Sequence, residues 1–185
     1  MIQRGKESCV AKRTALAEKL DEVKERIAAA AAKAKRETSE ITLIAVTKTA
    51  APEQIREIVQ LGVNDLGESR VQVLTQRAAQ LNEYFQRRQI HGDEPAVPRL
   101  RWHMIGHLQR NKVKAVLPLV HMVHSIDSLR LAEELDFQAG KLNRKLHVLL
   151  QVNASEEGSK FGVAVGRRCI WANRLIPCRI CNCRD

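Results

Sequence analysis

Aromatic side chains are scarce: Phe, Trp and Tyr make up 3% of the 185 residues, and there is a single tyrosine, Tyr84. A core must therefore be built from aliphatic groups, and basic stretches lack the interleaved rings that stack on bases. No apolar run approaches the roughly 18–20 residues that a membrane span requires. Residues 1–12 lack the apolar centre of a secretion signal. The expectation is a soluble, cytoplasmic protein with neither a membrane nor a nucleic-acid partner. Two phosphate-binding signatures are also missing. No Gly-x-Gly-x-x-Gly follows the first strand candidate, and no Gly-Lys-Ser/Thr loop occurs.

Cysteine is unevenly absent. Cys9 stands alone, whereas Cys169, Cys178, Cys181 and Cys183 crowd the last 17 residues. Cys178-x2-Cys181-x-Cys183 lacks the second short ligand pair, a loop away, that structural zinc sites use. A disulfide framework does not suit a cytosolic chain. The net charge of +10 is partly a property of the same tail, where residues 167–185 hold five Arg and one Asp. Elsewhere the charges are dispersed along helix candidates, as on a solvated surface.

What is present is a folding chain: 44% of residues are apolar, and the length suits one domain. Residues 11–36 are rich in alanine, and Leu16, Leu20, Val23 and Ile27 recur at helical spacing. A cycle then begins. Ile41–Val46 reads as a short buried strand, followed by a helix that Pro52 opens and Gly62 closes. Val63–Leu66 is the second strand and Val71–Phe85 the next helix. Residues 86–99, with Gly92, Pro95 and Pro98, form a polar insertion. Leu100–Ile105 is the third strand, and Asn111–Val116 starts a helix that Pro118 closes. Val120–Ile126 is the fourth strand, Leu129–Ala139 a helix ended by Gly140, and Leu146–Val152 the fifth strand. Strands alternating with helices predict a parallel α/β sheet, either doubly wound or part of a (β/α)8 barrel. Lys48, Glu68, Ser69, His107, Asp127 and Asn153 fall at successive strand ends. Barrels gather their sites from such positions, which favours a partial TIM-type barrel of about five of eight strands behind an N-terminal helix.

Lys48 directly follows the strand residues Ile44-Ala-Val-Thr47. A lysine desolvated at that position would lose preference for its ammonium form, and a neutral amine attacks aldehydes to give a Schiff base. The bland alternative is a lysine that extends to solvent. No partnered acid is evident for His103, which favours a structural role. Asn111 suits a helix cap, Glu68 and Ser69 suit either a ligand contact or a cap, Asn153 could reach a ligand, and Lys160 reads as a solvated loop lysine.

The segment Leu43-Ile-Ala-Val-Thr-Lys48-Thr49 resembles the cofactor-lysine strand of the pyridoxal phosphate homeostasis protein family. Further resemblances follow in order: Leu66-Gly-Glu-Ser-Arg-Val-Gln72, Trp102-His-Met-Ile-Gly-His-Leu-Gln109 with Asn111-Lys-Val-Lys114, His124-Ser-Ile-Asp-Ser128, and Leu149-Leu-Gln-Val-Asn153 through Ser159-Lys-Phe-Gly162. The resemblance implies a fold similar to the barrel domain of alanine racemase, with pyridoxal 5'-phosphate held by Lys48. It also implies carrying, buffering or delivering that cofactor to apo-enzymes, with no defined catalytic reaction. A racemase-like enzyme is the alternative, but it would need a second domain and a catalytic tyrosine. A metal- or nucleic-acid-binding tail, and a functionless fragment, are further alternatives. After about Gly166 the resemblance fails. The expected organisation is an incomplete cofactor-binding barrel over 1–165 and an unrelated, disordered Arg/Cys-rich tail over 166–185. A frameshift or premature stop would account for that tail. Such a chain is expected to be poorly stable or to bind the cofactor weakly, because barrels usually hold phosphates at loops after strands seven and eight.

Overall fold

The computed structural model describes residues 14–90 and 98–167. The expected tail, from residue 168 on, lies outside the described residues, as do residues 1–13 and the middle of the polar insertion, residues 91–97. The chain divides into two units, Met1–Thr42 and Leu43–Asp185.

In the first unit, helix α1 spans Ala15–Lys33. The Thr14 hydroxyl caps it by accepting from the Ala17 amide at 3.2 Å. Glu18 in the first turn and Lys33 in the last complement the helix dipole. The predicted start at residue 11 lies outside the described residues, and the predicted end at 36 is three residues long. Lys35 takes a left-handed φ of 53°, which ends the helix. A 3-10 turn over Thr38–Glu40 follows.

The second unit is the α/β body. Its strands are β1 (Ala45–Val46), β2 (Asp65–Glu68), β3 (Arg101–Met104), β4 (Val120–Ile126) and β5 (His147–Leu150). Between them run α2 (Pro52–Gln60), α3 (Val71–Ile90), α4 (Val113–Val116) and α5 (Leu129–Lys141). All five strands are parallel and lie in chain order, β1-β2-β3-β4-β5. A doubly wound sheet reverses direction at a switch point, and this one does not. With crossovers of constant hand, every connection steps the same way and places its helix on the same side. The architecture is the partial (β/α)8 barrel expected.

One face of the sheet meets the helices. Leu66, Met104, Val120 and Val123 are fully buried there against Leu74, Phe85, Leu131 and Leu135. At about 1.5–3 kcal/mol for each large aliphatic side chain removed from water, this layer is the main stabilising term of the unit. Because side chains alternate along a strand, the opposite face carries Val46, Asp65, His103, His147 and Leu149. Val46 and Leu149 are 58% and 43% exposed.

Several boundaries differ from the sequence expectation. The first strand is two residues long, not six. The second includes Gly67 and Glu68, because Gly67 is a register partner of Val46 on one side and His103 on the other. Helix α3 continues five residues into the expected insertion. Phe85 is 1% exposed and anchors that stretch, while Arg87 pairs with Glu83 one turn back. Helix α5 runs through Gly140, and the left-handed Asn143 (φ 46°) follows it. The expected fifth strand breaks in two. Its last residue, Val152, instead starts β6 (Val152–Asn153), which pairs with β7 (Val163–Ala164) in a separate two-stranded sheet. Among the described residues no helix is long and apolar enough to cross a membrane.

Candidate functional site

The C-terminal strand ends form one mouth, and a buried ion pair organises its first corner. Glu68 is 1% exposed. Its Oε2 accepts from the Thr47 hydroxyl at 2.9 Å and from the Arg77 guanidinium at 2.8 Å. Its Oε1 accepts from the Ser69 amide at 2.8 Å. The α3 residue Arg77 also donates to the Thr47 carbonyl, and to that of Ala50 at 3.1 Å. Those two carbonyls flank Lys48. The Ala50 amide donates to the Thr47 carbonyl at 2.9 Å, closing a turn around the lysine. The backbone that carries Lys48 is therefore fixed from behind by a helix two segments further along the chain.

The Lys48 side chain itself is exposed, which corrects the expectation of a desolvated amine. Alternation explains it. Thr47 turns toward the helices and is 2% exposed, so Val46 and Lys48 project from the other face, which carries no helix layer. Among the described residues the amine has no hydrogen bond or ion pair.

Glu68 and Ser69 were candidates for a ligand contact or a cap. The Glu68 carboxylate is engaged by Thr47, Arg77 and the Ser69 amide. Asn111 lies within a 3-10 turn over Arg110–Lys112 and does not cap it; Gln109 occupies the cap position. The Asn153 side-chain amide donates to the carbonyls of Glu157, at 2.9 Å, and Lys160, at 3.4 Å, closing the loop after β6. Lys160 is paired with Glu157 at 2.8 Å. Tyr84 lies on α3, edge-on to Phe85 and under the Arg56 guanidinium at 4.5 Å, in a groove lined by α2 and α3. That places the chain's one tyrosine on the helical layer.

At the other corner, the His107 Nδ1 lies 2.7 Å from the Asp127 Oδ2. The His107 ring stacks on Phe161 at 4.0 Å between centroids and 13° between planes. The Phe161 carbonyl accepts from the Gln151 amide group at 3.0 Å, tying the loop to the end of β5. Gly162 (φ 134°) allows the close return, since a side chain there would meet the Asn153 amide nitrogen at 2.7 Å.

A further constellation is not legible in the local sequence. His103, 3% exposed, does have an acid: its Nε2 lies 2.9 Å from the Asp65 Oδ1. Its Nδ1 lies 2.9 Å from the His124 Nε2, and Arg101 makes a two-point contact with the same Asp65. His121 and His147 extend the cluster, with ring centroids 5.2 Å apart. The signal was present as the period-two spacing of Arg101 and His103. Their partner Asp65 is 38 residues from His103 and comes into reach only through the strand register. Among the described residues no group of side chains has metal-holding geometry.

A sheet of this order, with a free amine at its mouth, defines a class: partial barrels of the (β/α)8 type that present a lysine at the C-terminal strand ends. The Escherichia coli pyridoxal phosphate homeostasis protein is 36% identical over 148 residues, covering 80% of this chain and 58% of that protein. A structure of unknown function from Bifidobacterium adolescentis superposes with a TM-score of 0.74 at 34% identity, covering 86% of this chain and 63% of that one. PipY of Synechococcus elongatus, solved with PLP bound, gives 0.64 at 30% identity, covering 86% and 63%. No family model matches. Over the aligned span, the chain is homologous to the pyridoxal phosphate homeostasis protein family. It spans about 58% of the length of the curated relatives it matches.

Proposed function

We propose that the chain binds pyridoxal 5'-phosphate through a reversible Schiff base at Lys48. Its role is to hold the cofactor and hand it on to apo-enzymes in the cytoplasm, as part of vitamin B6 homeostasis. The observation that carries this reading is the contrast at Lys48: backbone clamped by Arg77, side chain free and exposed at the mouth. An aldehyde needs an accessible primary amine, and the cofactor would supply that aldehyde. The fixed turn lowers the ordering cost of capture.

Borohydride reduction after mixing with the cofactor tests this directly. Peptide mass spectrometry is expected to find the reduced adduct on Lys48, and Lys48→Ala to abolish it and the associated near-ultraviolet absorbance. An adduct spread over several surface lysines, or an unchanged yield from Lys48→Ala, would overturn the assignment.

A further inference from the structure

We propose that His107, held by Asp127 and backed by Phe161, is the proton-transfer group for loading and unloading at Lys48. This rests on the Schiff-base reading above and adds a second residue to the same mouth.

The geometry is specific. Asp127, whose side chain is 9% exposed, accepts the Nδ1 proton of His107 at 2.7 Å. In the neutral ring that leaves Nε2 with its lone pair. Nε2 has no partner among the described residues, and the His107 side chain is 37% exposed. The stacked Phe161 ring prevents the imidazole from swinging away. An oriented imidazole with one nitrogen bonded to a carboxylate and the other open is the arrangement general acid–base chemistry uses.

The position is also right. Val46 is in register with Gly67, and Gly67 with His103. The ladders continue through Thr47 N–H to Gly67 O at 2.9 Å and Ile105 N–H to Glu68 O at 3.0 Å. Lys48 is thus level with Ile105, and His107 lies two residues further out at the same mouth. With strands about 4.8 Å apart, β1 and β3 are separated by about 10 Å laterally. His107 also lies two residues beyond the level of Lys48, so the four-carbon stem of lysine and an intervening water are needed to join the two.

The step balances. The amine nitrogen bonds to the aldehyde carbon and the carbonyl oxygen becomes a hydroxyl. The nitrogen then gives up its remaining proton as the carbon–oxygen bond breaks and the carbon–nitrogen double bond forms. Both amine protons end on the oxygen, which leaves as water. His107 Nε2 takes the proton from nitrogen and returns it to oxygen, so it is unchanged after each cycle. Unloading is the reverse.

A proton-transfer group changes rates and leaves the equilibrium alone, whereas a structural residue would change occupancy. Stopped-flow absorbance after mixing with pyridoxal 5'-phosphate, in wild type and His107→Ala, separates the two. Loading and unloading are expected to slow by about 10²-fold with final occupancy retained, and free imidazole is expected to restore the rate. Asp127→Asn is expected to slow both rates less. Wild-type rates in His107→Ala, or slowing that imidazole does not relieve while circular dichroism stays native, would sink the proposal. Should His107→Ala lose its native circular dichroism, His107→Gln carries the same expectation, since it retains an amide toward Asp127 but no base. Absence of any Lys48 adduct in the wild type would instead sink the underlying Schiff-base reading.

Discussion

Glu68 and Arg77 illustrate how one buried pair serves a neighbour that neither touches through its side chain. The carboxylate is 1% exposed and the guanidinium side chain 18%, so removing one partner leaves a charge buried without compensation. Replacement of Arg77 by Met is expected to cost about 3–5 kcal/mol in urea unfolding. It also frees the turn around Lys48, so the cofactor adduct is expected to form with lower occupancy. A loss under 1 kcal/mol would show the pair to be dispensable. At this scale the sequence displayed Lys48 plainly, through its place after an aliphatic run. It did not display Arg77, because a helical arginine beside buried Leu74 and Ala78 looks like any solvated helix residue. The same holds for His103: its apparent lack of an acid was a lack of one nearby in sequence.

The elements show the same division. Strand number, order and helix alternation were legible from hydrophobic periodicity, whereas ends were set by tertiary contacts such as the burial of Phe85. The sheet face opposite the helices carries the consequence least visible in the sequence, a ladder of Asp65, Arg101, His103, His121, His124 and His147 across four strands. Burial pushes His124 down from its ordinary value, and the neighbouring His103 adds to this. Burial likewise depresses His121, together with His147, His103 and Arg101 and against Asp65. Burial raises the Asp65 carboxyl, but hydrogen bonds from Arg101 and His103 outweigh it and hold the group below its usual range. A depressed imidazole takes up protons more readily in the unfolded chain. Stability from His121 and His124 is therefore complete above about pH 6.5 and lost as pH falls below it. The Asp65 contribution persists until far more acid conditions, below about pH 4. The urea midpoint is expected to drop between pH 7.5 and 5.5, and His121→Gln to flatten that drop; a parallel pH dependence in the variant would refute it. The loops at the mouth are equally constrained. A side chain at Gly106 would lie 2.3 Å from the Ser69 carbonyl oxygen. Gly106→Ala is expected to lower the thermal midpoint, at a cost of about 1–3 kcal/mol or more.

For the whole molecule, the described sheet ends at β1 and β5, whose outer edges have no strand partner in it. Together with exposed Val46 and Leu149, this predicts concentration-dependent association through edge pairing or the open face. Val46→Lys is expected to shift sedimentation toward the monomer; identical profiles would place the association elsewhere. The chain-order arrangement of the strands has another reach. During synthesis each new strand meets a neighbour already made, so no part of the sheet waits for a distant one. The turn bearing Lys48 is laid down first but stays loose until Arg77 arrives, 30 residues after Thr47 and 27 after Ala50. Ribosome-bound chains arrested on either side of that point would therefore differ in how firmly the lysine is presented, well before the mouth around it is finished.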